Sequence, residues 1–516
     1  MAWSNCDESP VADASLHPPI HGEGEGPDAG GPTATPASVL LDYRAYIDGR
    51  RNATTAWSKT RAGHSISVTF WPAHAPRVSC FSVYCPDLKP GDFAEEPGIL
   101  ATEDDVVVLC VVLGSLRARD RFDYFVYQAG GGSGVPPSLE LLKHPGPSRD
   151  FGLNSVGLLR CRTHKLELDD SQPTLSSHRG YRDDGGFYIV AALCYAPPKV
   201  PGHYDLYTYD SRTKEWATRT ALLRQEQELA HHSSHCSTKV IAVGGKAGTM
   251  GWVDLRHGIL FCDVLLPDHT LPLTYITFPP PLKPDRKLPP DRDIAVIKGC
   301  IKYVEFITHV RPGSVSDGDF IADDWTAVTW SRKACSAKSL ENGSWQRGCM
   351  VRASQISARK KSEAQFELLP KLMDDEGTPQ PTLERLHTSH PTLSLHQENL
   401  VYFMTKIHYR KDTKAWVIAV NSKNKSLEGV AEFDALRTLG MNFTYMCSKI
   451  SQGLQMAPAT HGHHKRAGPM MRGSSLKKHA GVPRMDLLAW DGERHQDSKV
   501  EGMSVGDLDQ DNMDLE

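Results

Sequence analysis

The sequence predicts an all-β fold, a β-propeller-like core of about six or seven blades with disordered N- and C-terminal tails. Three observations predict it: short segments rich in β-branched and aromatic residues recur along the chain, few stretches carry helical periodicity, and one hairpin pattern occurs twice.

The strand-like segments are Ile66 to Phe70, Cys80 to Tyr84, Val106 to Leu113, Tyr124 to Tyr127, Phe187 to Cys194, Tyr204 to Tyr209, Lys239 to Val243, Gly258 to Leu266 and Val401 to Ile407. Gly, Pro, Asp or Asn bound them, as turns require. The clearest helical periodicity lies in Thr220 to Ala230, where Leu222, Leu223 and Leu229 stand among polar residues. One exposed helix or an extended turn is expected there.

The echo is Tyr-x-x-x-Thr-Lys-x-Trp, at Tyr209 to Trp216 and again at Tyr409 to Trp416. Each copy reads as a hairpin whose polar loop turns at the surface while Tyr and Trp pack on one face. Weaker candidates join Val328-Thr329-Trp330 to Gly343-Ser344-Trp345-Gln346, and Phe125-Val126-Tyr127 to Leu139-Glu140-Leu141-Leu142. With about 40–50 residues to a blade, the middle of the chain accommodates six or seven. Radial closure leaves only short, protected edges. The competing arrangement is two all-β domains divided at the Pro-rich stretch Phe278 to Pro290, which equally suits a rigid connector inside one propeller.

The domain organisation expected is a disordered acidic leader at 1–36, the propeller-like domain at 37–452, and a disordered tail at 453–516, basic and then acidic. The leader carries Asp7, Glu8, Asp13, Glu23, Glu25 and Asp28 with no Lys or Arg. Such a segment buries too little apolar surface to offset its ordering entropy. The tail sets His461, His463, His464, Lys465, Arg466, Arg472, Lys477, Lys478 and His479 before Asp507, Asp509, Asp511, Asp514 and Glu516. The basic block suits a solvated tail, a nuclear address or a weak anion patch.

Over all 516 residues, 58 Lys+Arg stand against 62 Asp+Glu, and hydrophobic residues make up 40%. That is a globular composition, not a collagen-like, coiled-coil or wholly disordered one. The formal charge of −4 speaks against broad electrostatic binding to nucleic acid or an anionic membrane. No secretory signal is apparent at the N-terminus, and the longest apolar run, Val106 to Leu113, is short of the roughly 20 residues that span a bilayer. A soluble intracellular protein is expected, cytoplasmic or nuclear and not secreted. The 12 cysteines lack CxxC pairs, and Cys110, Cys194 and Cys262 lie in apolar runs; they read as reduced core residues.

Candidate chemistry is sparse. The run Gly244 to Gly251 follows a strand, but its spacing fits neither GxxxxGK[ST] nor GxGxxG, and another strand follows it. A tight strand connection is expected. Asp317, Asp319, Asp323 and Asp324 lack EF-hand spacing, and His231, His232, His235 and Cys236 lack a second ligand pair. Both read as polar loops. Asp169-Asp170, Asp183-Asp184 and Asp374-Asp375 sit in turn-like sequence, where solvated surface is the expected reading. The expectation is therefore no catalytic, cofactor-binding or metal residue, and no cofactor.

The stretch Gly251-Trp252-Val253-Asp254-Leu255-Arg256-His257-Gly258-Ile259-Leu260-Phe261-Cys262-Asp263-Val264-Leu265 resembles the signature of the plant Domain of Unknown Function 1618 family, abundant in grasses. Leu40 to Ile47, Arg50 to Ala56 and Ser138 to Leu142 also resemble such proteins, so that the resemblance spans about residues 38 to 450. Members often carry Trp-Arg where this chain has Arg256-His257, a departure that bears on local packing. The resemblance implies a propeller similar to kelch and F-box-associated domains, and it brings no established activity and no catalytic residue.

The residues singled out as structural are Gly251, Trp252, Asp254, Gly258 and Asp263 of this stretch, with Tyr209, Trp216, Tyr409 and Trp416 of the echo. The stretch reads as a core hairpin, with Val253, Leu255, Ile259, Phe261, Val264 and Leu265 as its apolar strand positions. The function expected is a non-enzymatic protein-interaction scaffold or adaptor, a monomer with a protein partner. A free-standing ubiquitin-ligase receptor is not expected, because residues 1 to 36 hold no F-box helix cluster. The alternative is a carbohydrate-active or hydrolytic enzyme with its site in the propeller channel.

Overall fold

A computed structural model describes residues 11–19, 36–114, 122–130, 135–145, 151–152, 154–161, 186–196, 202–223, 235–283, 291–315, 320–335, 337–340, 343–356, 363–373, 377–408, 414–434 and 445–454. The predicted tail from 455 onward and most of the predicted leader lie outside them. Among the described residues the α-helices are single turns, Ala337–Leu340 and Glu363–Phe366, and none is long and apolar enough to cross a membrane.

The strands are β1 (Val39–Asp42), β2 (Tyr46–Ile47), β3 (Ala56–Lys59), β4 (Ser65–Trp71), β5 (Val78–Tyr84), β6 (Gly98–Glu103), β7 (Val106–Val112), β8 (Phe122–Gln128) and β9 (Ser138–Leu141). Next come β10 (Val156–Cys161), β11 (Phe187–Tyr195), β12 (His203–Asp210), β13 (Glu215–Leu223), β14 (Lys239–Gly244), β15 (Thr249–Asp254), β16 (Gly258–Asp263) and β17 (Thr270–Thr277). Then follow β18 (Arg292–Ile297), β19 (Cys300–Val310), β20 (Ala322–Lys333), β21 (Gln346–Arg352), β22 (Lys371–Met373), β23 (Pro379–Pro381), β24 (His387–Leu393), β25 (Leu400–Lys406), β26 (Lys414–Asn421), β27 (Ser426–Asp434) and β28 (Tyr445–Ser448).

All of these but β22 and β23, which pair as a separate two-stranded sheet, belong to six blades. The first is β6–β9, the second β10–β13, the third β14–β17, the fourth β18–β21 and the fifth β24–β27, each an antiparallel meander in chain order. The sixth has the order β28-β1-β5-β4-β3, so its inner strands come from opposite ends of the described chain. Among the described residues, only the second and third blades are fused at their outer edges, where β13 and β17 run parallel with Thr220 opposite Thr270 and Leu223 opposite Leu273.

Six apolar cores, one at each junction between neighbouring blades, account for the strand composition. In β7 the alternate residues Val107, Leu109 and Val111 join Phe81 and Val83 of the sixth blade, while Val106, Val108 and Cys110 join Leu158 and Val190 of the second. A strand buried on both faces is apolar at every position, which is why this one reads as an unbroken run. Met250 and Trp252 meet Ile189 and Leu206 of the second blade, Phe261 meets Ile294 of the fourth, and Phe306 with Trp325 meets Phe403 of the fifth. Leu400 and Val417 meet Leu40 and Tyr445 of the sixth. Thr102 of β6 hydrogen-bonds to Ser448 of β28 at 2.6 Å, which closes the ring.

Each of the nine expected segments holds a strand, though that of Gly258 to Leu266 ends at Asp263. The exposed helix or extended turn expected over Thr220 to Ala230 is neither at residues 220–223, which are the end of β13, while 224–230 lie outside the described residues. Pairing with β12 on one side and β17 on the other overrides the weak helical spacing there. The Pro-rich stretch joins β17 to β18, and an ion pair of Lys239 with Asp293 spans that junction at 2.7 Å, as in a connector inside one propeller. Within the predicted leader, residues 11–19 pack on the first and sixth blades, with Val11 and Ser15 buried.

The echo does not mark equivalent blade positions. Tyr209 stands opposite Trp216 in the hairpin of β12 and β13, the third and fourth strands of their blade. Trp416 stands opposite Thr405 in the hairpin of β25 and β26, the second and third strands of theirs, and Tyr409 lies outside the described residues. The two weaker hairpins, β8–β9 and β20–β21, do match the position of β12–β13.

Candidate functional site: the cleft between the second and third blades

The strand β13, outermost in its blade, is exposed or half-exposed over its first six residues, and its partner β17 reaches only its last four. Beyond that contact the blades part. The opening is a cleft of about 440 Å³. Ile189, Thr208 and Ala217 lie along the face of the second blade, the turn from Asp210 to Glu215 forms one wall, and Val264 with Leu265 forms the other. Arg219 closes the end. Its guanidinium donates to the carbonyls of Leu266 and Val264, each at 2.6 Å, and burial lowers its pKa.

The charged groups of the wall have fixed partners. Arg212 grips Asp210 through Nη2 to Oδ2 at 2.6 Å and Nε to Oδ1 at 3.0 Å, while its plane covers the Phe187 ring at 3.8 Å. These bonds hold the Asp210 carboxyl below the usual carboxylate range. Behind the wall, Trp216 Nε1 donates to the Lys143 carbonyl at 2.6 Å, and its ring lies 5.5 Å from that of the buried Tyr209. Tyr209 and Trp216 were singled out in the sequence as a hairpin. Arg219, Val264 and Leu265 were not singled out as site residues, because nothing local announces that β13 and β17 meet.

Gly251, Trp252, Asp254, Gly258 and Asp263 cluster in the hairpin of β15 and β16. Trp252 is fully buried and donates from Nε1 to the Ser155 carbonyl at 2.8 Å. Asp254 accepts from the N–H groups of Arg256 at 2.9 Å and Cys236 at 3.0 Å, and His257 Nδ1 lies 3.1 Å away. Asp263 accepts from the Thr249 hydroxyl at 2.5 Å and from the Ala337 N–H at 3.1 Å. Gly251 and Gly258 sit where a Cβ would stand 2.6 Å from the Phe261 ring and 2.4 Å from the Ile276 carbonyl oxygen. The turn is further held by buried Arg292, which donates to the Leu255 carbonyl and pairs with Glu305, both at 2.8 Å. Trp416 is buried in the core between the fourth and fifth blades.

At the centre, Asp293 takes Lys239 on one oxygen at 2.7 Å and the Leu393 N–H on the other at 2.8 Å. This joins the third, fourth and fifth blades. Burial, with Asp293 adding to it, raises the pKa of Tyr43 and of Tyr445. The Gly244 run is a tight connection between β14 and β15, with Gly244 opposite Thr249. Asp323 pairs with Arg311 at 3.5 Å and Asp324 binds the Ser354 hydroxyl at 2.8 Å, while Asp317, Asp319, His231 and His232 lie outside the described residues. Among the described residues, no three His, Cys, Asp or Glu side chains are grouped to hold a metal ion.

Comparison with known proteins gives the following. No curated protein matches the chain. Among solved structures, the α-L-arabinofuranosidase Arb93A from Fusarium graminearum, in complex with an iminosugar inhibitor, is 9% identical with a TM-score of 0.32, covering 77% of this chain and 89% of that one. Hydrazine synthase from Kuenenia stuttgartiensis is 10% identical with a TM-score of 0.28, covering 75% and 77%. The Penicillium chrysogenum α-L-arabinanase with arabinobiose is 10% identical with a TM-score of 0.24, covering 78% and 100%. At such scores these likenesses carry no functional argument. Residues 252–402 match the model of the family described as "Protein of unknown function (DUF1618)", which supports the family resemblance carried by the β15–β16 hairpin.

Proposed function

We propose that the chain is a non-enzymatic interaction scaffold, a six-bladed propeller that presents the cleft between its second and third blades to a protein partner. The cleft carries this reading. Its lining is mixed, with Ile189, Ala217, Val264 and Leu265 beside Thr208, Asp210 and Arg212, and its volume, about 440 Å³, suits a large anchoring side chain or a short segment. Its polar groups are fixed in advance, so a partner meets an ordered surface. Asp210, held ionised by Arg212, is a recognition group and a poor general acid near neutral pH. In this reading the protein works as an intracellular monomer, a kelch-like adaptor of the kind that F-box-associated propellers exemplify.

The test is affinity capture at several salt concentrations, comparing the wild-type chain with Ala217→Arg, which fills the cleft. A partner held by the first and lost by the second supports the scaffold; no specific partner at any salt concentration overturns it. The alternative, a carbohydrate-active or hydrolytic enzyme, has its natural place in the channel. Glycoside hydrolysis needs two carboxylates flanking the bond, and both oxygens of Asp293 are already engaged. Turnover in a broad glycosidase and esterase screen would favour that alternative.

A further inference from the structure

Residues 11–19 lie on the propeller as a linear peptide. They make one 3-10 turn, Asp13–Leu16, which has no stability of its own, so the surface beneath must supply the binding free energy. Val11, Ser15 and Pro18 are buried, while Asp13 and His17 are exposed. The contacts are of the kind that recognise peptides. Val11 enters the core between the sixth and first blades and Leu16 packs against that core. The Ser15 hydroxyl donates to the carboxylate of Glu96, which lies on the crossover into β6. Arg50 donates from Nη2 to the Pro18 carbonyl at 3.1 Å, and is itself fixed by Asp48 at 2.7 Å and by the Trp71 ring at 5.3 Å.

We propose that the seam between the sixth and first blades is a docking groove for a linear peptide of the form apolar-x-x-x-Ser-Leu-x-Pro, and that the chain's own Val11 to Pro18 is its tethered, displaceable occupant. The groove is separate from the cleft of the second and third blades and does not depend on the function proposed for that cleft. The occupant is covalently part of the chain, and intramolecular binding of this kind has an effective concentration on the order of 1 mM. A free peptide of the same sequence therefore meets a groove that is mostly filled.

The test uses the full chain carrying Val11→Asp with Leu16→Asp, which releases the occupant, and a fluorescent peptide spanning residues 9 to 20. Fluorescence anisotropy should show saturable one-to-one binding to this variant, about tenfold tighter than to the wild-type chain. The same peptide with Ser15→Ala and Val11→Asp should bind at least about tenfold more weakly. A chain lacking residues 1 to 19 should behave as the double variant does. Equal affinity for the wild-type and released chains would overturn the proposal. So would absence of binding to a released chain whose circular dichroism matches the wild type. Should the truncated chain fail to fold, the double variant decides; should both fail, the segment is a fixed part of the core and the proposal is wrong.

Discussion

The carboxylate of Asp254 faces the imidazole of His257 across the turn between β15 and β16, Nδ1 to Oδ2 at 3.1 Å. The carboxylate also accepts two backbone N–H groups, so His257 is one of three partners. Asp254→Ala should cost about 1–3 kcal/mol in urea denaturation, because buried donors lose their acceptor. His257→Ala should cost less than about 1 kcal/mol, since the imidazole is one-third exposed.

Gly258 faces backbone and Gly251 faces a ring. Gly258→Ala puts a methyl against the Ile276 carbonyl, which cannot turn away without opening the β16–β17 ladder, whereas the Phe261 ring next to Gly251 can shift. Both substitutions should destabilise by about 1–3 kcal/mol, the first more than the second. Thermal melts of the two single variants rank them.

Lys239 and Asp293 link the third blade to the fourth, which belong to separate sheets. The carboxylate side chain is 4% exposed and the ammonium-bearing one 20%. Lys239→Met leaves a buried carboxylate with only the Leu393 N–H, a loss of about 2–4 kcal/mol once partial exposure is discounted. The double variant Lys239→Met with Asp293→Asn should recover part of that loss. A chemical-denaturation cycle over the four proteins gives the coupling.

Much of the fold was legible because each blade buries both faces, so its central strands are apolar at consecutive positions and stand out from their turns. β7 and β16 show this most plainly, all their residues being buried. Edge strands were harder: β13 is exposed at most of its first six positions, and its Leu222 and Leu223 imitated a helix. The echo of Trp216 and Trp416 misled about register, since a Tyr-to-Trp hairpin suits any pair of neighbouring strands in a blade. The cleft was illegible as a site because Arg219 and Val264 are brought together only by the parallel contact of β13 with β17. Residues 11–19 were hidden by composition: a few buried positions, Val11, Ser15 and Pro18, do not lift the average of a polar leader.

Glu384 gives a pH signature. Burial pushes its carboxyl up from the usual range, and Asp324 and Asp323 add to the effect. A pKa higher in the folded state than in the unfolded one means that ionisation costs stability, a penalty present above the folded pKa and gone below the unfolded value of about 4.3. Glu384→Gln should raise the Tm by about 1 °C near neutral pH, and the gain should vanish as the pH falls below about 4. Calorimetry across that range follows it.

The scaffold reading is tested most directly by a photo-crosslinking amino acid placed at Ala217, on the floor of the cleft, with Lys423 in an exposed turn of the fifth blade as the control position. The predicted result is a discrete adduct from Ala217 and none from Lys423, competed away by excess unlabelled wild-type protein and not by excess Ala217→Arg. Identical adducts from the two positions, or equal competition by wild type and Ala217→Arg, would contradict it.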